Sequence, residues 1–179
     1  PIEVQDFEFI RSFVQKRAAI VLDDEKHYLV ESRLQPLARR EGIANIAELV
    51  KELQRSSTNG LHQKVVEAMT THETSFFRDV RPFDALRRVV LPELIAARSA
   101  TRQLRIWCAA CSSGQEPYSL AMMLRENFPQ LQSWDVSILA TDLSMQILEK
   151  AREGSFSQIE INRGLPAPLL LKYFQRRGM

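Results

Sequence analysis

Leu104–Leu120, LRIWCAACSSGQEPYSL, sets a short apolar run before a small-residue turn and an amphipathic segment. The order predicts a strand, a tight turn and a helix start. Leu104, Ile106, Trp107 and Cys108 suit a buried strand, and Ser112-Ser113-Gly114 lets the backbone turn sharply and approach a ligand closely. Gln115-Glu116-Pro117 opens the helix, because proline is tolerated in a first turn where its missing N–H has no partner to lose. Leu120, Met123, Leu124 and Phe128 follow at helical spacing. A strand leading through small residues to a helix N-terminus is how open α/β sheets hold nucleotide-like ligands.

The same stretch contains Trp107-Cys108-Ala109-Ala110-Cys111, a WCxxC pattern shared with dithiol oxidoreductases. Such a site needs its first cysteine at a helix N-terminus, where the dipole stabilises a thiolate. Here the strand runs through Cys108 and the helix opens after the serine-glycine turn. Two cysteines acting as small buried hydrophobes is the simpler expectation. A single CxxC pair with only His27, His62 and His72 elsewhere offers no zinc-site spacing, and no metal is expected.

Outward from this stretch, a second strand is predicted over Trp134–Asp142, ending in an acid. Ser144 is placed to cap the next helix, whose face is Met145, Ile147, Leu148 and Ala151, and Gly154 to end it. Strand, helix, strand, helix is the opening βαβα of a parallel sheet. An acid ending the second strand of such a fold can accept hydrogen bonds from ribose hydroxyls; the bland alternative for Asp142 is an acid favoured at a helix N-terminus. Beyond Ser155 the pattern predicts a loop and a short helix over Leu169–Arg176. Two strands make no stable doubly wound sheet, so the sheet is expected to be cut after its first βαβα half.

Upstream, residues 1–70 read as helical. Asp6 is expected to cap a helix with face Phe7, Ile10, Phe13, Val14 and Ala18, and a second runs toward Arg40, kinked or split at Pro36. Gly42 stops it. Asn45 with Glu48 resembles a capping box opening Ile46–Leu53, Ser56–Gly60 is a loop, and Leu61, Val65, Ala68 and Met69 mark a fourth helix. Packed together these form a small bundle. Residues 71–80 are a polar linker whose Phe76 and Phe77 anchor it while Thr74 and Arg78 stay free to bind. Phe83, Leu86, Val89, Val90, Leu94 and Ile95 give a further helix, disturbed in its second half by Pro92.

The 179-residue chain carries a net charge of +2, too little to imply nucleic acid by itself. Basic residues do cluster at Arg11, Lys16 and Arg17 and at Arg33, Arg39 and Arg40, so a basic helical nucleic-acid-binding module is an alternative, though no recognition helix is specified. No apolar run nears the roughly 20 residues needed to span a bilayer, and no export signal opens the sequence. A cytoplasmic protein without membrane insertion is expected.

Thr74-Ser75-Phe76-Phe77-Arg78, Ala109-Ala110-Cys111-Ser112-Ser113-Gly114-Gln115-Glu116-Pro117-Tyr118-Ser119, Ala140-Thr141-Asp142, and Arg163-Gly164-Leu165-Pro166 with Tyr173-Phe174 occur in this order. With these residues the chain resembles the N-terminal two thirds of a chemotaxis receptor methyltransferase of the CheR type. The resemblance implies an all-α helical domain (1–70), a linker contributing to the cofactor pocket (71–80), and the first part of a Rossmann-like, class I methyltransferase domain (81–179). It implies binding of S-adenosylmethionine, release of S-adenosylhomocysteine, and esterification of glutamate side chains on chemoreceptors. Thr74 and Arg78 would reach the pocket, as would His72, where some relatives have asparagine. Glu116 would lie near the methionine part of the cofactor and Asp142 on its ribose, with Arg78 also catalytic. The implied partner is the acidic methylation region of the receptors' cytoplasmic helices, steered by a basic face that includes some of Arg11, Arg33, Arg39 and Arg40; a receptor C-terminal tail is a further possible contact. The family's later asparagine-leucine and asparagine-valine segments and its β-subdomain have no counterpart in the sequence.

Overall fold

The computed structural model describes residues 2–55 and 60–178, and the loop expected over Ser56–Gly60 falls mostly outside them. The chain divides into two compact units, one ending at Thr71 and the other beginning at His72.

In the first unit four helices follow the predicted periodicity: α1 (Val4–Ala18), α2 (His27–Arg40), α3 (Ile46–Arg55) and α4 (Leu61–Met69). Their apolar stripes meet in one core containing Phe7, Ile10, Val14, Val30, Leu34, Leu49 and Val65, all at 0–1% exposure. Two expectations need correction. Asp6 is not the cap, because α1 starts earlier, after Glu3, and Asp6 lies in its first turn where a carboxylate complements the helix dipole. Pro36 does not split α2, which continues through it to Arg40; its buried stripe of Val30, Leu34, Leu37 and Ala38 holds the helix on the core across the missing N–H. Asn45 does cap α3, its Oδ1 accepting from the Glu48 N–H at 2.9 Å. Gly42, at φ 71°, follows the end of α2.

The second unit begins with a segment packed into its own core. α5 (Val80–Ala85) and α6 (Leu91–Ala97) are joined by a π-helical stretch, Leu86–Val90, in which the Leu91 N–H donates to the Leu86 carbonyl. The disturbance therefore precedes Pro92: the helix widens where a proline cannot donate to the carbonyl four residues back. β1 (Gln103–Ala109), α7 (Gln115–Asn127), β2 (Asp135–Thr141) and α8 (Met145–Glu153) come next, with β1 and β2 parallel and Trp107 opposite Leu139. This is the opening half of a Rossmann-like sheet. Ser144 caps α8 through the Ile147 N–H at 3.3 Å, and Gly154, at φ 58°, ends it.

The strands are not buried on both faces. Leu104 and Cys108 face the core, but Trp107 is 69% and Leu139 61% exposed, since only one face of the two-stranded sheet is covered. The span after Gly154 is also more ordered than a loop. α9 (Gln158–Asn162) opens with a full capping box between Ser157 and Glu160, and α10 covers Ala167–Tyr173, two residues earlier and three shorter at its end than expected. The S-x-x-E signal for α9 is present in the sequence.

Candidate active site

The C-terminal end of β1, the turn after it and the start of α7 form the centre of the site. The turn is a strained one. Ala110 (φ 58°) and Ser112 (φ 50°) adopt the left-handed conformation without being glycine, and Gly114 (φ 96°) completes the reversal. Gly114 is required on two counts, because a Cβ there would also come within 3.1 Å of the Tyr118 ring and 3.2 Å of the Ala151 Cβ. The start of α7 and the end of α8 thereby pack closely beside Gly114 and Gly154, aided by the Tyr118 hydroxyl donating to the Ala151 carbonyl at 2.9 Å.

Asp142 ties this turn to the one after β2. Its Oδ2 accepts from the Ser112 N–H at 2.8 Å and its Oδ1 from the Ser144 N–H at 3.0 Å. The Cys111 N–H donates to the Thr141 carbonyl at 2.9 Å, extending the same connection. His72 meets the turn through its backbone, the carbonyl accepting from Ser112 Oγ at 2.9 Å. His72 and Asp142 are thus brought together around Ser112.

Arg78 and Glu116 meet elsewhere, in a cleft of about 660 Å³ along the edge of β1 that does not pair with β2. Trp107 and Cys108 line it at the strand's C-terminal end, with Asp79, Pro82 and Phe83 from the preceding segment. Both charged side chains are exposed, while Thr74 and Asp142 are half-buried outside the cleft's lining. Arg78 Nη1 donates to the Glu73 carbonyl at 2.8 Å.

Residues 72–79 are held at several points. Phe76 is 1% exposed and sits among Phe156 and Phe174, with ring centroids 5.0 and 5.8 Å away. The Phe77 N–H donates at 3.0 Å to Ser119 Oγ, which itself donates to the Gln115 carbonyl at 2.7 Å. Phe77 (φ 47°) and Asp79 (φ 55°) are left-handed on either side of Arg78. Backbone strain thus borders the cleft from both its sequence segments. Ser119, Arg163 and Gly164 belong to this support; all three stand in the quoted motifs, which assign them no individual role.

Burial and the adjacent Glu116 carboxylate push the Cys108 thiol up to about 12, and burial with Asp142 nearby raises Cys111 as well. A dithiol oxidoreductase requires the opposite shift at its first cysteine. This favours the simpler expectation over the WCxxC alternative: Cys108 belongs to a strand, not to a helix N-terminus, and both thiols are buried. In the helical unit Arg33 donates to the Met69 carbonyl (2.6 Å) and Thr71 Oγ1 (3.0 Å), and Arg11 pairs with Asp24 (2.6 Å) and Glu8 (3.3 Å). Among the described residues no helix is long and apolar enough to cross a membrane.

Comparison with known proteins agrees with this architecture. A family model described as CheR methyltransferase, SAM binding domain, matches residues 72–179, and one described as CheR methyltransferase, all-alpha domain, matches residues 5–70. The chain is 48% identical over 177 residues to chemotaxis protein methyltransferase 1 of Pseudomonas aeruginosa, covering 97% of this chain and 64% of that protein. It is 44% identical over 177 residues to chemotaxis protein methyltransferase Cher2 of Pseudomonas putida, with the same 97% and 64% coverage. To a chemotaxis protein methyltransferase of Vibrio parahaemolyticus it is 38% identical over 179 residues, 99% of this chain and 64% of the relative. The chain thus spans about two thirds, 64%, of the length of these curated relatives.

Proposed function

The chain belongs to the CheR methyltransferase family, and on that premise we propose that it forms the cofactor-binding part of an enzyme that methylates glutamate side chains of chemoreceptors, in chemotaxis adaptation in the cytoplasm. The observation that carries the reading is the meeting of Arg78 and Glu116 in one cleft beside the strained turn that Asp142 holds.

The donor set fits S-adenosylmethionine. Glu116 offers a carboxylate to an ammonium group. Asp142 spends one acceptance per oxygen on backbone amides, and a carboxylate with about four lone-pair positions retains capacity for ribose hydroxyls. Thr74 and His72 lie on the segment that carries Arg78, and on this reading they complete the pocket from that side. When bound, S-adenosylmethionine supplies a methyl carbon on a positively charged sulfur, whose transfer to a carboxylate oxygen leaves S-adenosylhomocysteine and a methyl ester.

The chain's own residues have little proton chemistry to perform. A substrate glutamate, with a reference pKa of about 4.3, is already ionised at neutral pH, so no general base is required. Their work is alignment, which can contribute up to roughly 10 kcal/mol. Arg78 serves it as a planar fork able to pin a carboxylate through two parallel hydrogen bonds. The buried Cys108 stays a neutral thiol beside Glu116. With Arg11 and Arg33 engaged, steering of acidic receptor helices falls to exposed residues such as Arg39 and Arg40.

Calorimetric titration of S-adenosylhomocysteine into the full-length protein tests the cofactor. Saturable binding is expected, weakened at least about tenfold in Glu116→Gln through loss of a charge-assisted hydrogen bond. Asp142→Ala is expected to weaken it too, while also releasing the Ser112 and Ser144 amides. A folded wild-type protein that binds nothing overturns the reading. Transfer of a labelled methyl group to a chemoreceptor should yield a base-labile product; a base-stable one rules out a glutamate ester.

A further inference from the structure

Arg163 does not line the cleft, yet it is one residue removed from Arg78. Its Nη2 donates to Glu73 Oε1 at 3.2 Å, and the Glu73 carbonyl accepts from Arg78 Nη1 at 2.8 Å. Glu73 therefore holds a guanidinium at each end, its side chain on Arg163 and its backbone on Arg78. The next residue, Gly164, presses on the same segment. A Cβ at Gly164 would lie 2.1 Å from the Phe76 carbonyl oxygen and 3.2 Å from its carbon, and its φ of 96° independently favours glycine. From the other direction Ser119, on α7, receives the Phe77 N–H.

Left-handed backbone at Phe77 and Asp79 persists only where the surroundings over-determine it. The α9–α10 connection and α7 supply that constraint from two sides. We propose that Arg163 is a positioning residue that orients Arg78 for methyl transfer by holding Glu73, with Gly164 allowing the connection to come close enough to do so. The inference rests on the role given to Arg78 above.

The Arg163–Glu73 bridge is 55% and 59% exposed at its two side chains, and exposed pairs contribute little to folding. Orientation is a different matter, since a misplacement of about 1 Å can cost on the order of 100-fold in rate. Loss of activity without loss of stability is therefore the signature of the device.

The test uses the full-length protein, with kcat and KM for receptor methylation and the melting temperature measured in parallel. Arg163→Ala is expected to lower kcat roughly tenfold with melting unchanged. Arg163→Lys should recover most of the loss, and Glu73→Ala, which keeps the backbone carbonyl but removes the side-chain acceptor, should reproduce it. In an Arg78→Ala background, Arg163→Ala should cause no further loss. If Arg78→Ala impairs methylation and Arg163→Ala does not, the positioning role is overturned and the function stands. If Arg163→Ala costs the same with and without Arg78, it acts independently and the proposal is equally overturned. If Arg78→Ala is fully active, the assignment on which the proposal rests fails first.

Discussion

The two units of the chain handle backbone strain in different ways. In the helical unit the one non-glycine residue with positive φ among the described residues is Ala19, at the C-terminal cap of α1. In the second unit Phe77, Asp79, Arg102, Ala110 and Ser112 share that conformation; Arg102 stands just before β1, and the other four border the cleft or the turn beside it. The first unit closes its apolar stripes on one another, whereas the second leaves Trp107 and Leu139 on an open sheet face. The difference teaches where each unit spends its packing energy: one on being a scaffold, the other on holding two segments away from their preferred backbone. Both tryptophans, Trp107 and Trp134, lie in the second unit, so their fluorescence follows that unit while far-UV circular dichroism follows both.

The contrast breaks most severely at Phe76. Phe76→Ala removes the ring at the centre of the aromatic cluster and is expected to destabilise the second unit by about 4 kcal/mol. Denaturant unfolding followed by tryptophan fluorescence should shift strongly while a helical transition from the first unit remains. A single transition moving as a whole would show that the units do not unfold separately.

A pair of glycine substitutions sharpens the comparison. Gly114→Ala adds left-handed strain and crowding against Tyr118 and Ala151, expected to cost roughly 3 kcal/mol in all. Gly42→Ala, at φ 71° with nothing within 4 Å of the added carbon, carries the backbone term alone, about 1 kcal/mol. Equal losses in denaturant melts would mean that the α7–α8 packing at Gly114 yields without cost.

The smallest effect concerns acid. Burial raises the Glu160 carboxyl, but hydrogen bonds from Lys150 and Ser157 outweigh it and hold it at about 2, below the ordinary 4.5. A folded-state pKa below the unfolded one stabilises above about pH 4.5, and that contribution is lost as pH falls through about 2. Glu160→Gln should therefore cost about 1 kcal/mol at neutral pH, with wild type and variant converging near pH 2 in fluorescence-monitored melts. In the first unit Glu48 is lowered by Lys51 at an exposed position, and Glu48→Gln should change little.

Much of this was legible in the residues. The stripes of α1 to α4, the Asn45 and Ser144 caps and the strand-turn-helix over residues 104–120 are local patterns, and the structure repeats them. The exposure of Trp107 was not legible, because an apolar residue in a strand reads as buried until the number of layers covering the sheet is known. Pro92 announced a disturbance, but its form as a π-helical stretch upstream depends on how the helix packs. α9 has its capping box in the sequence, but five residues carry too little periodicity to outweigh the glycines and prolines around them.

The candidate site divides in the same manner. The motifs that carry the family resemblance marked His72, Thr74, Arg78, Glu116 and Asp142, because motifs are written along the chain and need no fold to be read. Only the tertiary structure decided that Asp142 holds the Ser112 and Ser144 amides, that Arg78 shares a cleft with Glu116, and that Arg163 reaches Glu73 across 90 residues. Such contacts form between atoms whose separation in sequence imposes no periodicity, so they arise from the packing of whole elements and leave no local trace.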